Sequence, residues 1–217
     1  TADRYLSDEG LGVAIEEGGI AKFYPFQILV WHELVHDRLN ERDIVVMYCP
    51  LCGASGVFSR SANDQVLTFE VSGQLWESSS LYTDKETGSL WSPVLNEAIT
   101  GPQEGEHLSP IAFSIVRWDT WKRTHPRGQV LSRETGHTRD YTRSPYLLYD
   151  ENRTLLFPVT HHDSRLHPKE LVYGYVGPDG ATKAFPHQYL VEHGEIVDAV
   201  AGRKVTITRK GDGTLVT

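Results

Sequence analysis

Residues 22–48 can be laid over residues 183–209, a shift of 161 positions. Lys22, Pro25, Gln27, Leu29, Val30, His32, Asp37 and Arg42 then fall on Lys183, Pro186, Gln188, Leu190, Val191, His193, Asp198 and Arg203. A unit recurring at a fixed offset restricts the chain to folds that use one supersecondary piece twice. Each copy reads as an extended segment, a polar turn (Asn40-Glu41 or Ala201-Gly202) and a second strand over 44–48 or 205–209, which is the pattern of a β-hairpin. One hairpin cannot bury a face by itself. The two copies are therefore expected to take equivalent places in a pseudo-symmetric arrangement of two repeated β-hairpins. Only the first copy runs directly into a cysteine pair.

The remainder of the chain also reads as β-rich. Its 19 glycines and 11 prolines punctuate short apolar runs at 44–48, 66–71, 155–159 and 205–208, which is strand spacing. Trp118 and Trp121, three apart and followed by His125-Pro126, predict one short helix over 114–124. Residues 133–152, rich in Arg, Thr, Tyr and Gly, read as a long ordered loop. Trp76, Trp91, Trp118 and Trp121 are expected in the core. The fold class expected is mostly β, with a minor α component, in one domain over 1–217. With 29 acidic against 21 basic residues the net charge is −8, and no basic run tracks a phosphate backbone, so nucleic acid is not expected as a partner. No apolar stretch nears the roughly 20 residues of a membrane span, and Thr1-Ala2-Asp3-Arg4 lacks the start of a signal peptide.

The chemistry concentrates at Cys49-Pro50-Leu51-Cys52-Gly53. Two cysteines three apart on a tight turn form half of a soft-metal site, and a glycine after the second eases a left-handed backbone. No second cysteine pair exists, so histidines would complete the site, the candidates being His161, His162, His167 and His32. Zinc prefers four protein ligands, whereas copper(I) accepts two or three, so copper and zinc both stay open. If the site is catalytic, Tyr141 or Asp163 would serve as a nearby acid or base. Two alternatives stand beside the metal: a thiol–disulfide redox pair, and a non-enzymatic structural or binding domain with a local disulfide. Arg139, Asp140, Tyr141 and Tyr146 either line a pocket or pair among themselves to fix the loop.

His32-Glu33-Leu34-Val35-His36 matches the H-E-x-x-H pattern of zinc peptidases, which needs a helix. The repeat puts this stretch on a strand, where residues four apart lie roughly 13 Å from each other, too far to share a metal. The second copy has Gly194 and Val197 in place of Glu33 and His36.

Taken together, Ala21-Lys22-Phe23-Tyr24-Pro25, Trp31-His32-Glu33, Tyr48-Cys49-Pro50-Leu51-Cys52-Gly53, Val71-Ser72-Gly73, Ser89-Leu90-Trp91-Ser92, Ile99-Thr100-Gly101-Pro102, Arg139-Asp140-Tyr141 and Phe157-Pro158-Val159 resemble the domain of unknown function 3179 (DUF3179) family over most of the chain. The resemblance implies a prokaryotic protein with extracytoplasmic placement, periplasmic or secreted, and carries over the cysteine turn without a reaction. His36 departs from it, standing where the family pattern leads us to expect Asn.

Overall fold

The computed structural model describes residues 2–149, 151–177, 179–209 and 215–216. Strands dominate, as the sequence predicts. The first sheet has the order β12 (Ser114–Arg117), β1 (Leu11–Glu17), β2 (Ile20–Pro25), β13 (Gln129–Val130). The second runs β3 (Leu34–Leu39), β4 (Arg42–Tyr48), β5 (Ser55–Ser59). The third runs β11 (Glu97–Thr100), β10 (Leu90–Ser92), β9 (Ser79–Asp84), β8 (Phe69–Trp76).

Strand β4 explains the stacking of these sheets. Its apolar run is uninterrupted because both of its faces are covered. Ile44 and Val46 join Val13, Ile15, Tyr24 and Leu29 in one core. Val45 and Met47 join Phe69, Tyr82 and Trp91 in another. Burial of each aliphatic side chain contributes about 1.5–3 kcal/mol, so β4 is held from two sides where it delivers the chain to Cys49. On the other face of the first sheet, Trp118 and Trp121 of helix α2 (Trp118–Thr124) pack on Phe23, with centroids 5.4 and 5.2 Å away.

Several local expectations need correction. Residues 114–117 are strand, because Ile115 and Val116 pair with β1 before the helix begins at Trp118. The extended start of each repeat copy is interrupted by a helix, α1 (Phe26–His32) in the first and α3 (His187–His193) in the second. Seven residues are too few for a 3.6-residue period to stand out, and the β-branched Ile28 and Val30 mask it further. Residues 155–159 form no strand: Leu156 and Phe157 are exposed, and Pro158 has no N–H to offer a neighbour. The long loop accordingly runs from 131 to 171 without a regular element among its described residues; Asp150 lies outside them. Trp76 is 44% exposed, since it ends β8, an edge strand of its sheet.

Residues 182–209 follow the same order as the first copy: β15 (Thr182–Pro186), α3, β16 (Glu195–Val200) and β17 (Arg203–Arg209). They gather Phe185, Leu190, Val200, Val205 and Ile207 around themselves. Each segment carries one ion pair at like positions. Lys22 pairs with Asp37 at 2.8 Å and Lys183 with Asp198 at 2.6 Å. Burial pushes the Asp37 carboxyl up, but hydrogen bonds from Lys22, the Arg38 amide and Tyr24 outweigh it and leave it below the ordinary range. A lowered carboxyl stabilises the fold above its unfolded value of about 3.9 and loses that contribution as pH falls toward its folded value. Asp37→Asn is expected to cost roughly 1 kcal/mol near neutrality, the water-exposed third of Asp37 limiting the figure. Asp198→Asn, at the more exposed pair, is expected to cost less; denaturant unfolding of the two variants at pH 7 and pH 3 checks both.

Candidate functional site

Two hairpins build the site. In the first, β4 ends at Tyr48, Cys49 N–H donates to the Ala54 carbonyl at 2.9 Å, and Gly53 N–H returns to the Cys49 carbonyl at 2.8 Å. Gly53 takes φ 68°, the left-handed turn expected of it. The turn brings Cys52 N–H to 3.3 Å from Cys49 Sγ. In the second hairpin, Glu77 and Ser78 turn β8 into β9 with φ 49° and 59°, the geometry of a two-residue hairpin loop. It lowers Ser79 and Ser80 onto the cysteines. Ser80 N–H donates to Cys49 Sγ at 3.4 Å, and Ser79 Oγ lies 3.4 Å from Cys52 Sγ.

The two sulfurs are unequal. Both cysteines are free thiols, Cys49 buried and Cys52 exposed. The Cys52 thiol hydrogen-bonds to Cys49 and, with the amides of Ser80 and Cys52, outweighs burial, so Cys49 is held well below the ordinary thiol range. The same hydrogen bond, with burial and the adjacent negative sulfur, pushes Cys52 up. The pair gives up one proton readily and retains the other.

Glu33 sits beside them. It ends α1 with φ 61° and ψ −30°, a conformation that costs about 1–2 kcal/mol for a residue other than glycine. Its Oε2 accepts the Ser80 hydroxyl at 2.9 Å. Burial raises its carboxyl, the Ser80 bond opposes this, and the charge on Cys49 raises it further. Tyr82 completes the wall: its hydroxyl donates to the Tyr48 carbonyl at 3.1 Å. Burial, then the Glu33 and Cys49 charges, push it up. Tyr146 from the long loop is raised by burial and then by those two charges.

Among the described residues no hydrogen bond joins the other predicted side chains to either cysteine. His32 is the last residue of α1, not a strand residue, and its Nε2 is 2.7 Å from the Tyr141 hydroxyl, which also meets Thr135 Oγ1 at 2.6 Å. His36 turns elsewhere and accepts the Phe69 amide at 3.1 Å, so His32, Glu33 and His36 each meet a different partner and share no common point. His161 and His162 are exposed; the amides of Thr160 and His161 donate to Glu77, which tethers that loop to the β8–β9 turn. His167 Nδ1 accepts the Lys169 amide. Asp163 is held at about 2 by Arg165, too acidic for acid–base work near neutrality. Among the described residues no three His, Cys, Asp or Glu side chains gather into a group able to hold a metal ion.

The sequence points to the cysteines; it gives no notice of Ser79, Ser80 and Tyr82, and offers Glu33 only within the H-E-x-x-H match. One signal existed for Glu33: the repeat places it on Gly194, which marks a left-handed position where a charged side chain is out of place.

Comparison with known proteins adds one finding. The family described as protein of unknown function (DUF3179) matches residues 1–217, the whole chain. No curated protein and no solved structure matches it.

Proposed function

The chain belongs to the DUF3179 family, and we propose that its Cys49–Cys52 pair is a thiol–disulfide redox centre whose disulfide form oxidises thiols. The observation that carries this reading is the inequality of the sulfurs: Cys49 is buried and receives two backbone N–H groups, while Cys52 is exposed. Stabilising the thiolate stabilises the reduced form and makes the disulfide the stronger oxidant.

The chemistry follows from the geometry. A substrate thiolate attacks the Sγ of Cys52, the more exposed of the two residues, the S–S bond breaks, and its electron pair leaves on Cys49 as the thiolate. A second substrate thiol attacks the substrate sulfur of the mixed disulfide and expels Cys52, which takes a proton. Two thiols become one disulfide and the cysteine pair gains two electrons. A disulfide of this kind suits an oxidising compartment, in keeping with extracytoplasmic placement. Among the described residues no helix is long and apolar enough to cross a membrane.

A soft-metal site on the same sulfurs is the second reading. Amide donors to sulfur also suit bound thiolates, and copper(I) accepts two of them. Zinc would need donors beyond the pair. Elemental analysis with a thiol count separates the readings. The redox centre predicts two thiols after reduction, none after oxidation, and a potential more oxidising than about −200 mV. About one copper per chain, lost in Cys49→Ala/Cys52→Ala, would replace it with the metal reading, and a disulfide that resists reduction would leave only a cross-link.

A further inference from the structure

The residue that ends α1 performs a backbone task that glycine performs in the second copy. Glu33 N–H donates to the Leu29 carbonyl at 2.7 Å, and its own carbonyl accepts from Tyr48 at 2.7 Å. Gly194 makes the same two bonds with Leu190 and Arg209, at 2.9 and 2.8 Å. The backbone therefore gives no reason for a glutamate at a left-handed position. What the first copy adds is a carboxylate, and only the first copy leads into cysteines.

That carboxylate is one residue away from the buried sulfur. Ser80 Oγ donates to Glu33 Oε2 at 2.9 Å while Ser80 N–H donates to Cys49 Sγ at 3.4 Å, so one serine holds both the carboxylate and the sulfur. The carboxylate has no ion-pair partner among the described residues. The titratable groups around it are Cys49 with its partner Cys52 on the turn after β4, Tyr82 on β9 and Tyr146 of the long loop.

We propose that Glu33 is the proton acceptor of the dithiol centre, connected to Cys49 through the Ser80 hydroxyl. When two substrate thiols reduce the Cys49–Cys52 disulfide, two electrons and two protons are delivered. One proton goes to the Cys52 sulfur, Cys49 remains a thiolate, and the second proton passes by way of Ser80 to the Glu33 carboxylate. Atoms and charge balance: two thiols, a disulfide and a carboxylate give a new disulfide, a thiol, a thiolate and a carboxylic acid. The cause is electrostatic. Burial favours the neutral form of Glu33 in both states, and on reduction the negative Cys49 sulfur adds to it, which the disulfide form lacks. The inference rests on the redox reading of the pair.

The test equilibrates the full chain with dithiothreitol and its cyclic disulfide from about pH 6 to 7.5, where the reference thiols are protonated. If the reduced chain keeps both protons, the equilibrium constant does not change with pH. If one proton escapes, it rises tenfold per pH unit. The wild-type chain is expected to be nearly flat, and Glu33→Gln to show the tenfold slope. Glu33→Gly is expected to match the Gln variant and, since glycine suits the backbone there, to guard against a folding failure. A tenfold slope in the wild type, or a flat profile in both variants, overturns the role of Glu33 and leaves the redox centre standing. A pair that forms no reducible disulfide overturns both together.

Discussion

Cys52→Ser is expected to abolish oxidation of a dithiol peptide, a loss of at least about a hundredfold against the oxidised wild-type chain, because no disulfide can form and the cysteine left is the buried one. Cys49→Ser is expected to behave differently: it retains the exposed thiol, so after activation with a chromogenic disulfide it should hold the peptide as a mixed disulfide on Cys52 that mass spectrometry locates. The order of attack follows from the leaving group. A more acidic departing thiol leaves faster, and Cys49 is the acidic member of the pair, made so by the Cys52 thiol and by the amides of Ser80 and Cys52. The same cause predicts the titration. Ultraviolet thiolate absorbance of the reduced chain should persist well below neutral pH, vanish in Cys49→Ser, and retreat toward the ordinary thiol range in Cys52→Ser. Trapping on Cys49, or equal alkylation of both sulfurs, would reverse the assigned order of attack.

How far the sequence disclosed this site depends on which force fixed each residue. Strand β4 is legible because burial on two faces leaves an unbroken apolar run, and the turn after it because two cysteines and a glycine admit few conformations. The repeat gave the position of each hairpin turn but concealed α1, a seven-residue helix held by Ile28 and Leu29 in the core rather than by propensity. Ser79 and Ser80 carried no signal, since a serine says nothing of what its amide will face. They reach the cysteines only through the pairing of β8 with β9, whose register shifts between Val71 and Leu75, and shifts of that kind are set by packing. The histidines show a different limit. Residue type and nearness in sequence suggest ligands, but where they lie is set by contacts of the loop from 131 to 171 that leave no sequence pattern, such as Asp163 with Arg165, Lys169 with Asn152 and Thr160 with Glu77.

The register of β9 also places the largest expected loss of stability outside the site. Asp84, fully buried at the end of β9, accepts the Thr87 amide at 2.6 Å, the Thr87 hydroxyl at 2.9 Å and the Trp91 indole N–H at 2.8 Å. Trp91 is 2% exposed and packs edge-on against Phe69 at 5.8 Å. Asp84→Ala leaves the indole N–H with no acceptor, removes the bonds that close the turn to β10 and opens a small void. Together these should cost about 3–4 kcal/mol, or roughly 6–16 °C in Tm for a chain of this length. Asp84→Asn keeps the volume but turns an NH₂ toward a donor, so an intermediate loss is expected. Trp91→Phe in the Asp84→Ala background should add less than it does alone, because the orphaned N–H is gone; a double-mutant cycle by denaturant unfolding measures this coupling. If the two losses simply add, Asp84 does not act through Trp91. Since Tyr82 packs in the same core and lies two residues before Asp84, loosening this end of β9 should also slacken Ser80 against Cys49. The folded fraction of Asp84→Asn is then expected to hold its thiolate less firmly than the wild type, although Asp84 touches neither cysteine.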